Sequence, residues 1–189
     1  SPWSKGRPGW HIECSALSML TLGEQIDLHG GGTDLRFPHH ENEIAQSEAA
    51  TGKKFVQSWF HVEHLLVDGQ KMSKSQGNMY TVRDVLDRGY TGRELRYALL
   101  SGANYAKNLN FTWQGMDDAK TALARIDEWR KRIKAAAIGA SVEDNKGMAS
   151  AHLEQAMDVA LAHDLNINDV LGNLFTWIRT SNKSLDEGS

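Results

Sequence analysis

I-D-L-H-G-G-G-T-D-L-R-F-P-H-H-E-N-E-I-A, residues 26–45, strings together a short apolar-alternating strand, three glycines, an aspartate, a proline and two metal-capable side chains four apart, His39 and Glu43. The pattern predicts a strand, a close-approach turn and a helix. Pro38 fits the first helical position, where its missing N–H costs nothing and its fixed φ suits the helix. At about 3.6 residues per turn, His39 and Glu43 share one face and can reach the same ion, whereas His40 and Glu41 point elsewhere. The glycines lack Cβ, so the backbone there can take φ > 0 and a ligand can come against it.

Working outward, Trp10 to Leu20 carries apolar residues at helical spacing (Trp10, Cys14, Leu17, Met19, Leu20), and Leu22-Gly23 ends that helix. Gln25 to His29 is a short buried strand. The helix from Pro38 runs to about Thr51-Gly52, where glycine supplies the stop. Trp59 to Val67, W-F-H-V-E-H-L-L-V, reads as a second strand rich in aromatic and branched residues. Helix, strand, helix, strand is an α/β signature with a parallel sheet as its product. In such sheets ligands sit beyond the carboxyl ends of the strands, which is where the glycines and Asp68-Gly69 fall.

From Lys71 the chain reads K-M-S-K-S-Q-G-N-M, two lysines three apart with interleaved serines. A polar loop of this kind can fold over a polyphosphate, with ammonium point charges and hydroxyl donors. The glycine spacing is not that of a Walker loop, and by composition alone an exposed basic loop is the more ordinary reading. Beyond it the grammar becomes helical. Thr81 with Asp84 and Thr91 with Glu94 form capping arrangements opening two short helices, and Gly102 can close the second. Met116 to about Ala137 is a long amphipathic helix with Ala119, Leu123, Ile126, Trp129 and Ile133 on one stripe. A polar linker, Ser141 to Gly147, precedes helices at about Ala149–His163 and Ile167–Asn182. Leu153, Met157, Val170, Leu174, Phe175 and Ile178 are expected to pack them on the long helix as a bundle, with Ser184–Ser189 frayed.

The 189 residues, 40% of them hydrophobic, can bury a core. No apolar run approaches the roughly 20 residues a membrane span needs, and the first residues do not resemble a signal peptide, so a soluble globular protein is expected. A net charge of −3 predicts no general affinity for polyanions; nucleic-acid contact would need a local patch. The single cysteine, Cys14, excludes an internal disulfide and suits a reducing cytoplasm. The chain lacks an initiating methionine and enters structure almost at once, as an internal portion of a longer protein would.

Cys14, His39 and Glu43 offer thiolate, imidazole and carboxylate, a set that suits zinc with an open fourth position. The same residues admit two other readings. Cys14 can be a small buried hydrophobe beside a solvated His and Glu, or a nucleophile activated by His29 or His39. The nucleophile reading explains neither Glu43 nor the Lys71–Ser75 loop.

Four blocks in one order carry a family resemblance: G-W-H-I-E-C at Gly9–Cys14, H-G-G-G-T-D-L at His29–Leu35, F-P-H-H-E-N-E at Phe37–Glu43 and K-M-S-K-S at Lys71–Ser75. The last resembles the signature loop of class I aminoacyl-tRNA synthetases, and the set resembles the cysteinyl-tRNA synthetases in particular. D-L-N-I-N-D-V-L-G-N-L-F at Asp164–Phe175 resembles their helical region. The resemblance implies a fold: the second half of a Rossmann-like nucleotide-binding domain with its loop (1–80), a stem-contact connection (81–115) and a helical bundle (116–189). It also implies that Cys14, His39 and Glu43 are three of four zinc ligands, the ion binding the thiolate of substrate L-cysteine, and that Trp10 lines the amino-acid pocket. Gly32 and Asp34 would hold the adenylate ribose. Lys74, helped by Lys71 and with Ser73 and Ser75 beside it, would stabilise charge on pyrophosphate departing from ATP bound with Mg2+. The implied reaction activates cysteine as cysteinyl-adenylate and transfers it to tRNA(Cys), in the cytoplasm and as a monomer. Lys131 to Lys134 offer a tRNA backbone contact, or solvated charge at a helix end.

The sequence departs from the family pattern where the first zinc cysteine, the H-I-G-H-type signature and the distal anticodon-recognition region would lie. Alone, this chain is therefore expected neither to activate cysteine nor to hold zinc tightly. Two alternatives stand beside it: a ligase joining cysteine to an amino-sugar conjugate in thiol biosynthesis, and a non-catalytic zinc- or RNA-binding fragment. The H-E-N-E-I-A-Q-S stretch and the long helical tail favour the synthetase.

Overall fold

The computed structural model describes residues 2, 4–137 and 148–187; the expected linker 141–147 lies outside them. The chain forms two compact units, Ser1–His64 with Tyr105–Lys107, and Leu65–Asn104 with Asn108–Ser189. Among the described residues no helix is long and apolar enough to cross a membrane.

The first unit holds α1 (Trp10–Leu22), β1 (Ile26–Gly32), α2 (Glu41–Thr51) and β2 (Val56–Val62). β1 and β2 pair in parallel, with Ile26 opposite Val56, His29 opposite Trp59 and Gly31 opposite His61. The expected parallel α/β core is thus present as a β1–α2–β2 crossover. Phe55, Ile26 and Val56 are buried at its base, with Met19 and Trp59 packed on them. Gly52 ends α2 at φ 70° and Gly23 follows α1 at φ 91°, a region glycine enters without steric cost. The three glycines do not form a turn. Gly30, Gly31 and Gly32 continue β1, and none of them has positive φ. The turn follows as Thr33–Leu35 and a wide turn at Arg36–His40, inside which Phe37 is extended, so α2 begins at Glu41 rather than Pro38. α1 also differs from its pattern. Its buried residue is Ser15, whose hydroxyl donates to Gln46 Oε1 on α2 at 3.0 Å, while Trp10, Leu17, Leu20 and Leu22 are exposed.

The run Trp59–Val67 is two strands, not one. β2 stops at Val62, where the backbone N–H of Glu63 turns to donate to Tyr105 O at 2.8 Å. β3 (Leu65–Val67) belongs to the second unit, flanked by β4 (Gln70–Lys71) and β5 (Leu109–Phe111). Asp68-Gly69 is the two-residue hairpin turn joining β3 to β4, with φ 48° and 76°, the positive pair such hairpins need. Val67, Val85, Phe111 and Met116 form the core beneath.

Both expected capping boxes are made. Thr81 opens α3 (Val82–Asp87) with Asp84, and Thr91 opens α4 (Gly92–Ser101) with Glu94. α5 (Trp113–Ala136) starts three residues earlier than its apolar stripe, capped by Thr112, and buries Met116, Ala119 and Leu123. Arg93 of α4 clamps Asp127 of α5 through both guanidinium nitrogens at 2.6 and 2.9 Å. α6 (Met148–Ala162) lies on α7 (Ile167–Glu187). α7 in turn meets α5 through the edge-to-face pair Trp129–Trp177 and a Trp129 Nε1–H bond to Ser181 Oγ at 2.8 Å. α7 stays helical through Ser184 to Glu187, beyond the expected fraying point, with Arg132 reaching Asn182 and Asp186 from α5.

Candidate functional site

α1, the wide turn at Arg36–His40 and the first turn of α2 bring Cys14, His39 and Glu43 together: one ligand atom from each lies within 4.8 Å of the others. Glu43 is fully buried and His39 nearly so. His39 Nε2 sits 2.8 Å from Glu43 Oε1 without the alignment of a hydrogen bond, leaving that oxygen with no hydrogen-bond partner among the described residues. An ionised carboxylate buried with an unspent lone pair is costly unless a cation or donor meets it. Burial first, then the Glu43 carboxylate, push the Cys14 thiol up. A divalent cation would reverse that effect, because a coordinating thiol is deprotonated outright. The donor set, the orphaned oxygen and the convergence all fit a thiophilic divalent ion.

Around these three stands a wall of imidazoles, of which the sequence pattern offered only His29, as a base for Cys14, and set His40 facing elsewhere. His29 Nε2–H donates to Glu43 Oε2 at 3.0 Å. His39 Nδ1 pairs with His11 Nδ1 at 2.7 Å, the kind of outer contact that fixes a metal-binding imidazole's tautomer and orientation. His40 does not point away. It is buried and bonds His61 Nε2 through Nδ1 at 2.8 Å, and its ring lies 4.7 Å from that of Trp59. His29, His40 and Glu43 form a second group whose ligand atoms also fall within 4.8 Å. Burial, then the imidazoles of His29, His61 and His39, push the pKa of His40 down to about 4. His61 is lowered by burial and then by Arg36. The wall is therefore neutral at physiological pH where these two stand. Strand alternation was the missed signal: His29 and Gly31 on β1, with Trp59 and His61 opposite them on β2, share one sheet face.

The glycines serve close approach. A Cβ on Gly31 would stand 2.8 Å from His40 Cε1 and 3.0 Å from Leu35 Cδ1, and one on Gly32 would collide with the Asp34 carboxylate. Asp34 is mostly exposed in the turn after β1, with His64 Nε2 at 3.8 Å from its Oδ1. Trp10 is 57% exposed, its ring 4.2 Å from that of His39 and its side chain hydrogen-bonded to Cys14. Trp10, Cys14, Gly32, Asp34, His39 and Glu43 thus all lie in the first unit.

Lys71, Ser73, Lys74 and Ser75 lie in the second unit. Both lysines are exposed, and neither has a carboxylate within ion-pair distance among the described residues. The loop between them is ordered by its own hydrogen bonds: Ser73 Oγ and Ser75 Oγ are 3.3 Å apart, Gln76 N donates to Ser73 Oγ at 3.3 Å, and Gly77 N donates to Lys74 O at 3.2 Å.

Residues 1–121 match the family model described as tRNA synthetases class I (C) catalytic domain. Over 189 residues the chain is 49% identical to the cysteine--tRNA ligase of Brachyspira hyodysenteriae, covering 98% of this chain and 40% of the relative. With that of Opitutus terrae it shares 50% over 186 residues, 98% of this chain and 38% of the relative. The chain spans about 40% of the length of the curated relatives it matches. Among solved structures, Mycobacterium tuberculosis methionyl-tRNA synthetase in complex with methionyl-adenylate aligns with a TM-score of 0.67 at 18% identity, over 85% of this chain and 34% of that one. The Agrobacterium radiobacter K84 agnB2 LeuRS of a LeuRS-tRNA-LeuAMS ternary complex aligns at 0.65 and 17%, over 84% and 23%. At such identities these two likenesses speak for the fold alone.

Proposed function

Because this chain belongs to the class I (C) tRNA synthetase catalytic-domain family, we propose that it is the part of a cysteine--tRNA ligase that grips substrate L-cysteine by its thiol and steadies the pyrophosphate leaving ATP. The observation that carries this reading is the convergence of Cys14, His39 and Glu43 on one point beside the exposed face of Trp10. Zinc held by those three residues would supply a Lewis-acid seat for the substrate thiolate, which serine and alanine cannot occupy as well.

The chain's own residues do the rest. Trp10 closes one wall of a small pocket. His29 and His11 hold Glu43 and His39 in their binding orientation. Asp34 accepts from a ribose hydroxyl, in the space kept clear by the missing Cβ of Gly32. In the first step a carboxylate oxygen of cysteine bonds to the α-phosphorus of Mg2+-bound ATP, and the bond from that phosphorus to the bridging oxygen breaks. Pyrophosphate departs, and the ammonium groups of Lys74 and Lys71 meet its growing charge, with Ser73 and Ser75 as donors. In the second step a hydroxyl of the terminal tRNA adenosine attacks the cysteinyl carbonyl and AMP leaves. The functional division is 1–80 catalytic, 81–115 stem contact and 116–189 bundle. Lys131 and Lys134 on the exposed side of α5 are offered to the tRNA backbone.

Cobalt(II) titration of this chain tests the reading. A thiolate-to-cobalt charge-transfer band is expected, lost in Cys14→Ser and weakened in Glu43→Gln, and altered by added L-cysteine but not by L-serine. A band indifferent to Cys14, or equal responses to cysteine and serine, overturns it. In the full-length protein, cysteine-dependent ATP–pyrophosphate exchange should fall steeply in Lys74→Ala.

A further inference from the structure

The Lys71–Ser75 loop is clasped from its far side by a residue outside the K-M-S-K-S signature. Asn78 Oδ1 accepts from Ser73 N–H at 2.8 Å, and Asn78 Nδ2–H donates to Lys71 O at 3.1 Å. One partly buried carboxamide thus satisfies a donor and an acceptor two residues apart and closes Lys71–Asn78 into a ring. The two backbone groups it ties flank Met72, which packs on the Val67–Val85–Phe111–Met116 core. Met72 also lines an apolar cavity of about 110 Å3 with Leu65, Tyr80, Val85 and Phe111. Apolar anchoring at Met72 and polar clasping at Asn78 are independent contacts, and both orient the same segment. The side chains of Lys71 and Lys74 stay exposed, while the backbone on either side of Met72 is held by the two Asn78 bonds.

We propose that Asn78 is the positioning residue that holds the two lysines in a preformed cradle for a polyphosphate. The proposal rests on the phosphate-loop reading above for its ligand, though not for the clasp itself. A loop that must be ordered by its ligand binds more weakly than one already ordered, because ordering consumes part of the interaction. Asparagine alone among similar side chains supplies both the acceptor for Ser73 and the donor for Lys71 at this reach. Aspartate keeps the first and loses the second.

The test uses the full 189-residue chain labelled with 15N, comparing wild type, Asn78→Ala and Asn78→Asp by amide exchange and by titration with inorganic pyrophosphate. In Asn78→Ala the Ser73 amide should exchange about tenfold faster, the loss of one good hydrogen bond, with α4 and α5 amides unchanged as a check on folding. Asn78→Asp should retain protection at Ser73, which a generally loosened loop would not do. Pyrophosphate should shift the Ser73 and Ser75 amides in wild type, and require about tenfold more ligand in Asn78→Ala. Unchanged Ser73 exchange in Asn78→Ala, equal loss in both variants, or equal pyrophosphate affinity in wild type and Asn78→Ala would each overturn the positioning role. If pyrophosphate moves no loop amide even in wild type while the exchange pattern is as expected, the clasp stands and the phosphate-loop reading falls.

Discussion

Placing a methyl group at Gly31 should break the imidazole wall from the strand side. An alanine Cβ there would lie 2.8 Å from His40 Cε1, 3.0 Å from His40 Nε2 and 3.0 Å from Leu35 Cδ1. Carbon contacts are comfortable at about 3.5–4.0 Å, so the ring must retreat by roughly 0.7 Å or more. It cannot swing freely: His40 is 3% exposed, tied to His61 and faced by the Trp59 ring. Overpacking of this kind costs about 1–3 kcal/mol. The alanine recovers roughly 0.4–1 kcal/mol by restricting the unfolded chain, leaving a net loss of about 1–2 kcal/mol.

Urea unfolding followed by the NMR signals of the β2 residues would read this loss in the unit that contains the wall. Gly172→Ala gives the opposite sign as a control. Gly172 lies inside α7, and nothing stands within 4 Å of a Cβ there, so helix propensity should stabilise α7 by up to about 1 kcal/mol. The strain at Gly31 should also pass through His40 to its neighbour His39, and weaken cobalt(II) binding by about tenfold, as losses of outer support to metal ligands do. A Gly31→Ala chain as stable as wild type, with undiminished cobalt affinity, would refute the claim that this glycine exists to admit His40.

Two other contacts, one at the candidate site and one at the α3 cap, carry outcomes of their own. His29→Ala removes the donor to Glu43 Oε2 and leaves a fully buried carboxylate short of a partner; a loss of about 1–3 kcal/mol is expected, with metal affinity down about 10–100-fold, and unchanged cobalt titration would show that His29 does not orient Glu43. Asp84 tests pH linkage: the Thr81 backbone N–H and then its hydroxyl hold the Asp84 carboxyl below its ordinary value of 3.8. Its stabilising contribution is present above the unfolded value and lost as pH falls through the lower folded value. Acidification below that range should speed exchange of the first α3 amides, an effect that Asp84→Ala should abolish; identical pH profiles for the two chains would count against the cap.

What was legible in the sequence follows a physical division between local and cross-chain determinants. The capping boxes at Thr81 and Thr91, the glycine stops at Gly23 and Gly52, and the i, i+4 pairing of His39 with Glu43 are set by residues within a turn of one another, and the structure has them where the pattern put them. The glycine run misled because absence of Cβ permits two uses, positive φ and close approach, and only the position of His40, brought in by the wide turn at Arg36–His40, decides for the second. Trp59–Val67 reads as one strand because side-chain pattern alone cannot register that the Glu63 amide leaves the ladder for Tyr105 O, more than 40 residues away. α1 exposes its apolar side for a related reason, since Ser15 finds its partner on α2, a contact no local pattern encodes. The candidate site divides in the same way. The thiolate, imidazole and carboxylate were visible by residue type, and His29 as a base for Cys14, whereas His11, His40, His61 and the bond from His29 to Glu43 acquire meaning only once α1, the turn before α2 and two parallel strands are brought together. The chemistry open to the candidate site is therefore written in its thiol, imidazole and carboxylate donors, and its rigidity in neighbours that only the fold assembles. Substitutions in the imidazole wall should accordingly cost affinity by loosening ligands that all remain in place.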